Sequence, residues 1–113
     1  MENFKSKMKS VNYVGFTKLD PYERKEIEDI VNSHMEKINR ISTVLGMRLH
    51  LKPIHEKDTE LARQGHLHQI DGVIETEKGH FNAIATHRNP YHAVAEILKK
   101  FLNQLKHRPS SRR

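Results

Sequence analysis

Apolar residues in this chain recur at two spacings, and the switch between them marks the elements. Ile27, Ile30, Val31, Met35, Ile38 and Ile41 follow steps of three and four, which lay one stripe along an α-helix. The same spacing returns at Tyr91, Val94, Ala95, Leu98, Phe101, Leu102 and Leu105. Between these stretches the period drops to two. Met47, Leu49 and Leu51 alternate with Arg48, His50 and Lys52. Ile70, Gly72, Ile74 and Thr76 share a second parity, and Phe81, Ala83 and Ala85 a third. A period of two is a half-buried strand, and the small alanines suit close approach of a helix.

Local chemistry sets the boundaries. Val11–Phe16 is short and β-prone and predicts a first strand. Asp20-Pro21-Tyr22-Glu23 is a helix start: the Asp20 carboxylate accepts from open backbone N–H groups, and Pro21 needs no donor. The first helix is predicted over 21–42, with Gly46 ending the linker that follows. Pro53 cannot donate to a ladder, so strand two is an edge there or ends there. Residues 55–65 read as a charged loop, and strand three as 66–76. Glu77-Lys78-Gly79 is a tight turn with glycine available for positive φ. Asn89-Pro90 opens the last helix, and Pro109 stops it. The order β-α-β-β-β-α predicts an α+β fold in two layers. Both helices lie on one face of a four-stranded sheet whose last three strands form an antiparallel meander. One domain is expected over 11–108, with a disordered lead-in at 1–10 and a basic disordered tail at 109–113.

Composition narrows the chemistry. The 113 residues include no cysteine, which excludes disulfides, thiolate metal sites and cysteine nucleophiles. No apolar run approaches the length of a membrane span, and the first residues lack the apolar block of a secretory signal. No glycine-rich phosphate loop or nucleophile elbow is present. Asp71 and Glu75 share a strand face, but nothing apolar is positioned to raise either pKa, so they read as solvated carboxylates. The chain is expected not to be an enzyme and to take no cofactor and no small-molecule substrate.

The net charge of +6 is unevenly distributed. All 14 Asp and Glu precede residue 98, whereas Lys99, Lys100, Lys106, Arg108, Arg112 and Arg113 follow it with no acid among them. Lys5, Lys7 and Lys9 form a smaller basic cluster at the other end. Two basic ends on a neutral body suggest a polyanionic partner. The plain alternative is a solubilising tail. Because the charge runs back into a helix, nucleic acid is favoured over that tail; an anionic membrane is disfavoured because Lys99 and Lys100 share no insertion face with bulky anchors.

The nine histidines raise a metal reading. His66 and His68 are two apart on a strand, so their rings point the same way, and His50 joins them if strands two and three pair. A solvated polar strand face explains the same residues without a metal, and none is expected. His34 falls on the first helical stripe and reads as a satisfied, half-buried histidine. Tyr22 and Tyr91, each beside a helix-starting proline, read as packing residues rather than stacking platforms.

The stretch Gly79-His80-Phe81-Asn82-Ala83-Ile84-Ala85, then Asn89-Pro90-Tyr91-His92-Ala93-Val94, then Leu98-Lys99-Lys100-Phe101-Leu102-Asn103-Gln104-Leu105-Lys106-His107-Arg108 resembles the ribosome hibernation-promoting factor and ribosome-associated inhibitor family. Members of that family share the β-α-β-β-β-α order. The resemblance implies a cytoplasmic, ribosome-associated factor of stress or stationary phase, a monomer when free. It implies binding to the small ribosomal subunit and its rRNA at the decoding region, where mRNA and the A- and P-site tRNAs pass, and so inhibition of translation. By position, the residues facing rRNA would be Lys99, Lys100, Lys106 and Arg108 from the last helix, Arg24, Lys25 and Lys37 from the first, and Arg88 before the last helix. The chain would be a short member, without the further C-terminal domain of long ones. Two readings outside the family stay open: a general binder of structured or double-stranded RNA, and a histidine-rich metal-binding protein.

Overall fold

Each period-two stretch forms a strand and each period-3.6 stretch a helix in the computed structural model, which describes residues 11–54 and 67–107. Strand β1 spans Val11–Val14, helix α1 Pro21–Ile41, β2 Val44–Ile54, β3 Leu67–Thr76, β4 Gly79–His87 and helix α2 Pro90–His107. A single 3-10 turn, Phe16–Lys18, joins β1 to α1. The sheet order is β1-β2-β3-β4. Strand β1 pairs with β2 in parallel, while β2–β3 and β3–β4 are antiparallel. Among the described residues the fold is α+β, with four strands and two helices, as the alternating periods predict.

Both helix starts use the predicted caps. The Asp20 carboxylate accepts from the Glu23 backbone N–H at 2.9 Å, and the Asn89 side chain accepts from the Tyr91 N–H at 2.9 Å. Each satisfies a donor that has no partner inside the helix. The β3–β4 turn falls at Glu77-Lys78, with Gly79 at φ 123°.

The core lies between the helices and one sheet face. Ile27, Val31, Met35 and Ile38 come from α1, and Val94, Ile97, Leu98, Phe101 and Leu105 from α2. They meet Met47, Leu49, Leu51, Ile70, Ile74, Phe81, Ala83 and Ala85 from the strands. Gly72 sits where α2 approaches closest. A Cβ placed there would lie 2.7 Å from Ile97 Cγ2 and 3.1 Å from Phe101 Cζ. The glycine is therefore a packing requirement of the α2–β3 contact.

Several boundaries differ from the sequence expectation. The first strand ends at Val14, and Phe16 is buried in the 3-10 turn rather than in a strand. Strand β2 begins at Val44, and Gly46 lies within it. A register shift between Val44 and Gly46 leaves Leu45 exposed and breaks the alternation that would have revealed the strand. The edge reading of Pro53 holds: it pairs with His68 of β3, whereas β1 reaches only to His50 on the other side. Strand β4 extends two residues beyond the predicted alternation at each end. Tyr91 packs against the core as expected, but Tyr22 is 86 % exposed and, among the described residues, is not part of the core packing. The lead-in at 1–10, the loop at 55–65, His66, Arg108 and the tail lie outside the described residues.

Candidate nucleic-acid interface

Topology decides which ends of the two helices coincide. Because β1 and β2 are parallel, α1 must run back along the sheet between them. Strand β4 is parallel to β2 through two antiparallel steps, and α2 runs back along β4. The side-chain contacts record that direction. His87 meets Glu96, Ile84 meets Lys100, and Asn82 meets Gln104. The helices therefore run the same way, and their C-terminal turns lie at one end of the molecule. Those turns carry Arg40 from α1, with Lys37 one turn before it, and Lys106 and His107 from α2. Cations there complement the negative ends of both helix dipoles.

The solvent face of α2 is a row at helical spacing. His92, Lys99, Asn103 and Lys106 are all exposed, and steps of seven, four and three keep them on one side of the helix. Lys99 and Lys106 have no hydrogen-bond or ion-pair partner among the described residues. They stand opposite the buried stripe of Leu98, Phe101 and Leu105.

The other predicted contact residues are placed differently. The Lys100 ammonium donates to the Ile84 carbonyl oxygen at 2.8 Å and lies 3.0 Å from the Glu96 carboxylate. Together with Gln104 it covers the outer edge of β4, which would otherwise offer open carbonyls to another strand. Lys25 pairs with Asp29 at 3.6 Å, both groups well exposed. Arg24 is half-buried, while Lys37 and Arg88 are exposed. The structure thus brings Lys37, Lys99 and Lys106 to the outer surface of the helical layer and engages Lys100 and Lys25 internally. Arg40 belongs with the first group and was not singled out from the sequence. The signal was available: a parallel βαβ step fixes the direction of α1, and Arg40 is the basic residue of its last turn.

The uncovered sheet face divides into two parts. Toward the Pro53 end, the Lys52 ammonium donates to the Asp71 carboxylate at 2.7 Å, and the Gln69 amide donates to its other oxygen at 2.7 Å. Partial burial works to raise the Asp71 carboxyl, but those two hydrogen bonds and the nearby Lys52 and His50 charges outweigh it and hold its pKa below the ordinary aspartate value. Both Asp71 oxygens already accept strong bonds. Toward the other end, a shallow recess is lined by Asn12, Arg48, Val73, Glu75, His80 and Asn82.

The histidines do not converge. His50 lies on the uncovered face opposite Asp71, whereas His68 shares the helix-facing parity of Ile70 and Ile74. His50 therefore cannot join His68, although their strands pair as expected. His68 Nδ1 donates to the Arg88 carbonyl oxygen at 3.0 Å. His34 Nδ1 donates to the Ile30 carbonyl oxygen at 3.1 Å, the satisfied role its position predicts. His87 Nε2 donates to Glu96 Oε1 at 2.6 Å, and this bond, followed by that from Lys100, holds the Glu96 carboxyl below its ordinary pKa. Among the described residues no three His, Asp or Glu side chains are arranged to hold a metal ion. No helix among them is long and apolar enough to cross a membrane.

No protein-family model matches this chain, and none of the curated proteins matches it.

Proposed function

We propose that the chain binds the RNA of the small ribosomal subunit at the decoding region and thereby inhibits translation under stress or in stationary phase. The observation that carries this reading is the exposed Lys99–Lys106 row on α2, at whose C-terminal end α1 presents Lys37 and Arg40. Phosphate neutralisation by such a row supplies affinity independent of sequence, and the rigid sheet-and-helix body supplies shape selection on folded RNA. The α2 motif that resembles the hibernation-factor family divides cleanly by role. Its Ala93, Val94, Leu98, Phe101 and Leu105 build the core, while Lys99, Asn103 and Lys106 face outward. The parallel β1 at the sheet edge favours this reading over a double-stranded RNA-binding module, whose sheet has no such strand.

Sedimentation of the chain with purified small subunits tests the reading. Association is expected to weaken steeply with salt. If about five phosphates are neutralised, log affinity falls against log salt with a slope of roughly −4 to −5. A salt-independent association, or co-sedimentation with free duplex RNA as strong as with small subunits, contradicts it.

A further inference from the structure

We propose that the recess on the uncovered sheet face, built around Arg48 and Glu75, takes one unstacked guanine base of RNA. This rests on the RNA-binding reading above and assigns a second surface, and a base specificity, to it.

The register places two rows of side chains on this face. Asn12, Arg48, Val73 and Asn82 lie abreast on the four strands. Gly46, Glu75 and His80 form the next row. Alternation with the buried Met47, Ile74, Phe81 and Ala83 turns these side chains away from the helices. Gly46 contributes no side chain and sits at the register shift in β2, so the sheet surface dips there beside Val73. The result is an open recess of about 430 Å³ with an apolar floor and a polar rim.

The rim side chains are exposed and are not used in bonds within the described residues. The side chains of Asn12, Arg48, Glu75, His80 and Asn82 have no partner among the described residues. The neighbouring part of the same face behaves oppositely, since Lys52, Asp71 and Gln69 bind one another. Arg48 and Glu75 are diagonal neighbours on adjacent strands, roughly 7–8 Å apart at their Cα atoms. They carry opposite charge and still do not pair.

Charge and shape select the occupant. A phosphate group would meet Glu75 as well as Arg48, so the RNA backbone gains little here. A flat ring with donors on one edge and acceptors on another uses both residues. Guanine presents two N–H donors on its Watson–Crick edge, matching a carboxylate, and the O6/N7 acceptor pair on its Hoogsteen edge, matching a guanidinium. Asn12, His80 and Asn82 supply further hydrogen bonds at the rim, and Val73 supplies the surface on which the ring lies. Bases splayed out of single-stranded loops are recognised in this manner. The binding face is then two-sided: cations on the helical layer hold backbone, and the sheet reads one base.

The test uses amide NMR of the full chain titrated separately with the 5′-monophosphates of guanosine, adenosine, cytidine and uridine, with inorganic phosphate as a control. The expected result is a guanosine-selective shift confined to the amides of Gly46, Arg48, Val73, Glu75 and His80. Glu75→Ala, at an exposed position, is expected to keep the spectrum of the folded chain and weaken guanosine monophosphate binding about tenfold. Equal shifts from all four nucleotides, shifts reproduced by inorganic phosphate alone, or an unchanged affinity in Glu75→Ala would each overturn the proposal. No ribosome takes part in this measurement. Failure of small-subunit association therefore leaves the guanine result standing, and a failed titration leaves the association reading standing.

Discussion

The two helices bury equivalent stripes and present opposite surfaces. On α1, Lys25 is matched by Asp29 one turn away, and Glu23, Glu26, Glu28 and Glu36 offset the helix's positive charge in number, leaving Lys37 and Arg40 exposed near its C-terminal end. On α2 the lone acid, Glu96, is already engaged by His87 and Lys100, so Lys99 and Lys106 face solvent uncompensated. An amphipathic period fixes which side of a helix is buried; it leaves the outer side free to be neutral or charged. The contrast bears on the proposed RNA contact. A surface whose charges answer one another gains little from a polyanion, whereas unmatched cations release counterions on contact.

The largest expected effects come from removing what the helices have in common. Phe101→Ala on α2 should cost about 3–5 kcal/mol and Ile38→Ala on α1 about 2–5 kcal/mol, since both side chains are fully buried. Urea unfolding of each variant reads the loss. A cost below about 1 kcal/mol for Ile38→Ala would mean that α1 does not share the core of α2.

Gly72→Val sharpens the comparison by disturbing α2 alone. Its Cβ would press on Ile97 and Phe101, with an expected loss of about 1–3 kcal/mol. Broadened or shifted resonances should appear in α2 and β3, with α1 largely unaffected. Undiminished stability would show that the two elements do not approach as closely as described.

The smallest effect concerns the Glu96 carboxylate that joins His87 to Lys100. Because its pKa is lowered on folding, its contribution is fully present above the ordinary glutamate value and is lost as pH falls through the lowered one. Both partners are substantially exposed, so solvent screening limits the effect to under about 1 kcal/mol. Glu96→Gln should therefore lower Tm slightly at neutral pH and reduce its decline in acid. An identical acid limb in the variant would show that the contact contributes nothing.

The elements themselves were readable because their signals are local. Helix caps at Asp20 and Asn89, the turn at Gly79 and the parity of Ile70, Gly72 and Ile74 each involve residues close in sequence. What escaped depends on register and distance. The start of β2 was hidden because Leu45 points outward at a bulge. The covering of the β4 edge needs Lys100 to reach Ile84, sixteen residues away, and no periodicity announces that bond. Arg48 and Glu75 become neighbours only through the β2–β3 register, so the recess between them had no signature along the chain. Lys100 shows the limit of reading charge from sequence: it counts as a surplus cation in composition, but its ammonium is engaged within the fold.

The most direct test of the account is a matched pair of charge reversals measured for binding to purified small subunits at one salt concentration. Lys99→Glu with Lys106→Glu removes the exposed row of α2, and the α1 pair, Lys18→Glu just before that helix with Lys25→Glu within it, makes an equal change in net charge away from the row. The α2 pair is expected to abolish co-sedimentation while leaving Tm within a few degrees of the parent, and the α1 pair to weaken binding far less. Equal losses from the two pairs would reduce the interaction to net charge alone, and undiminished binding by the α2 variant would contradict the account.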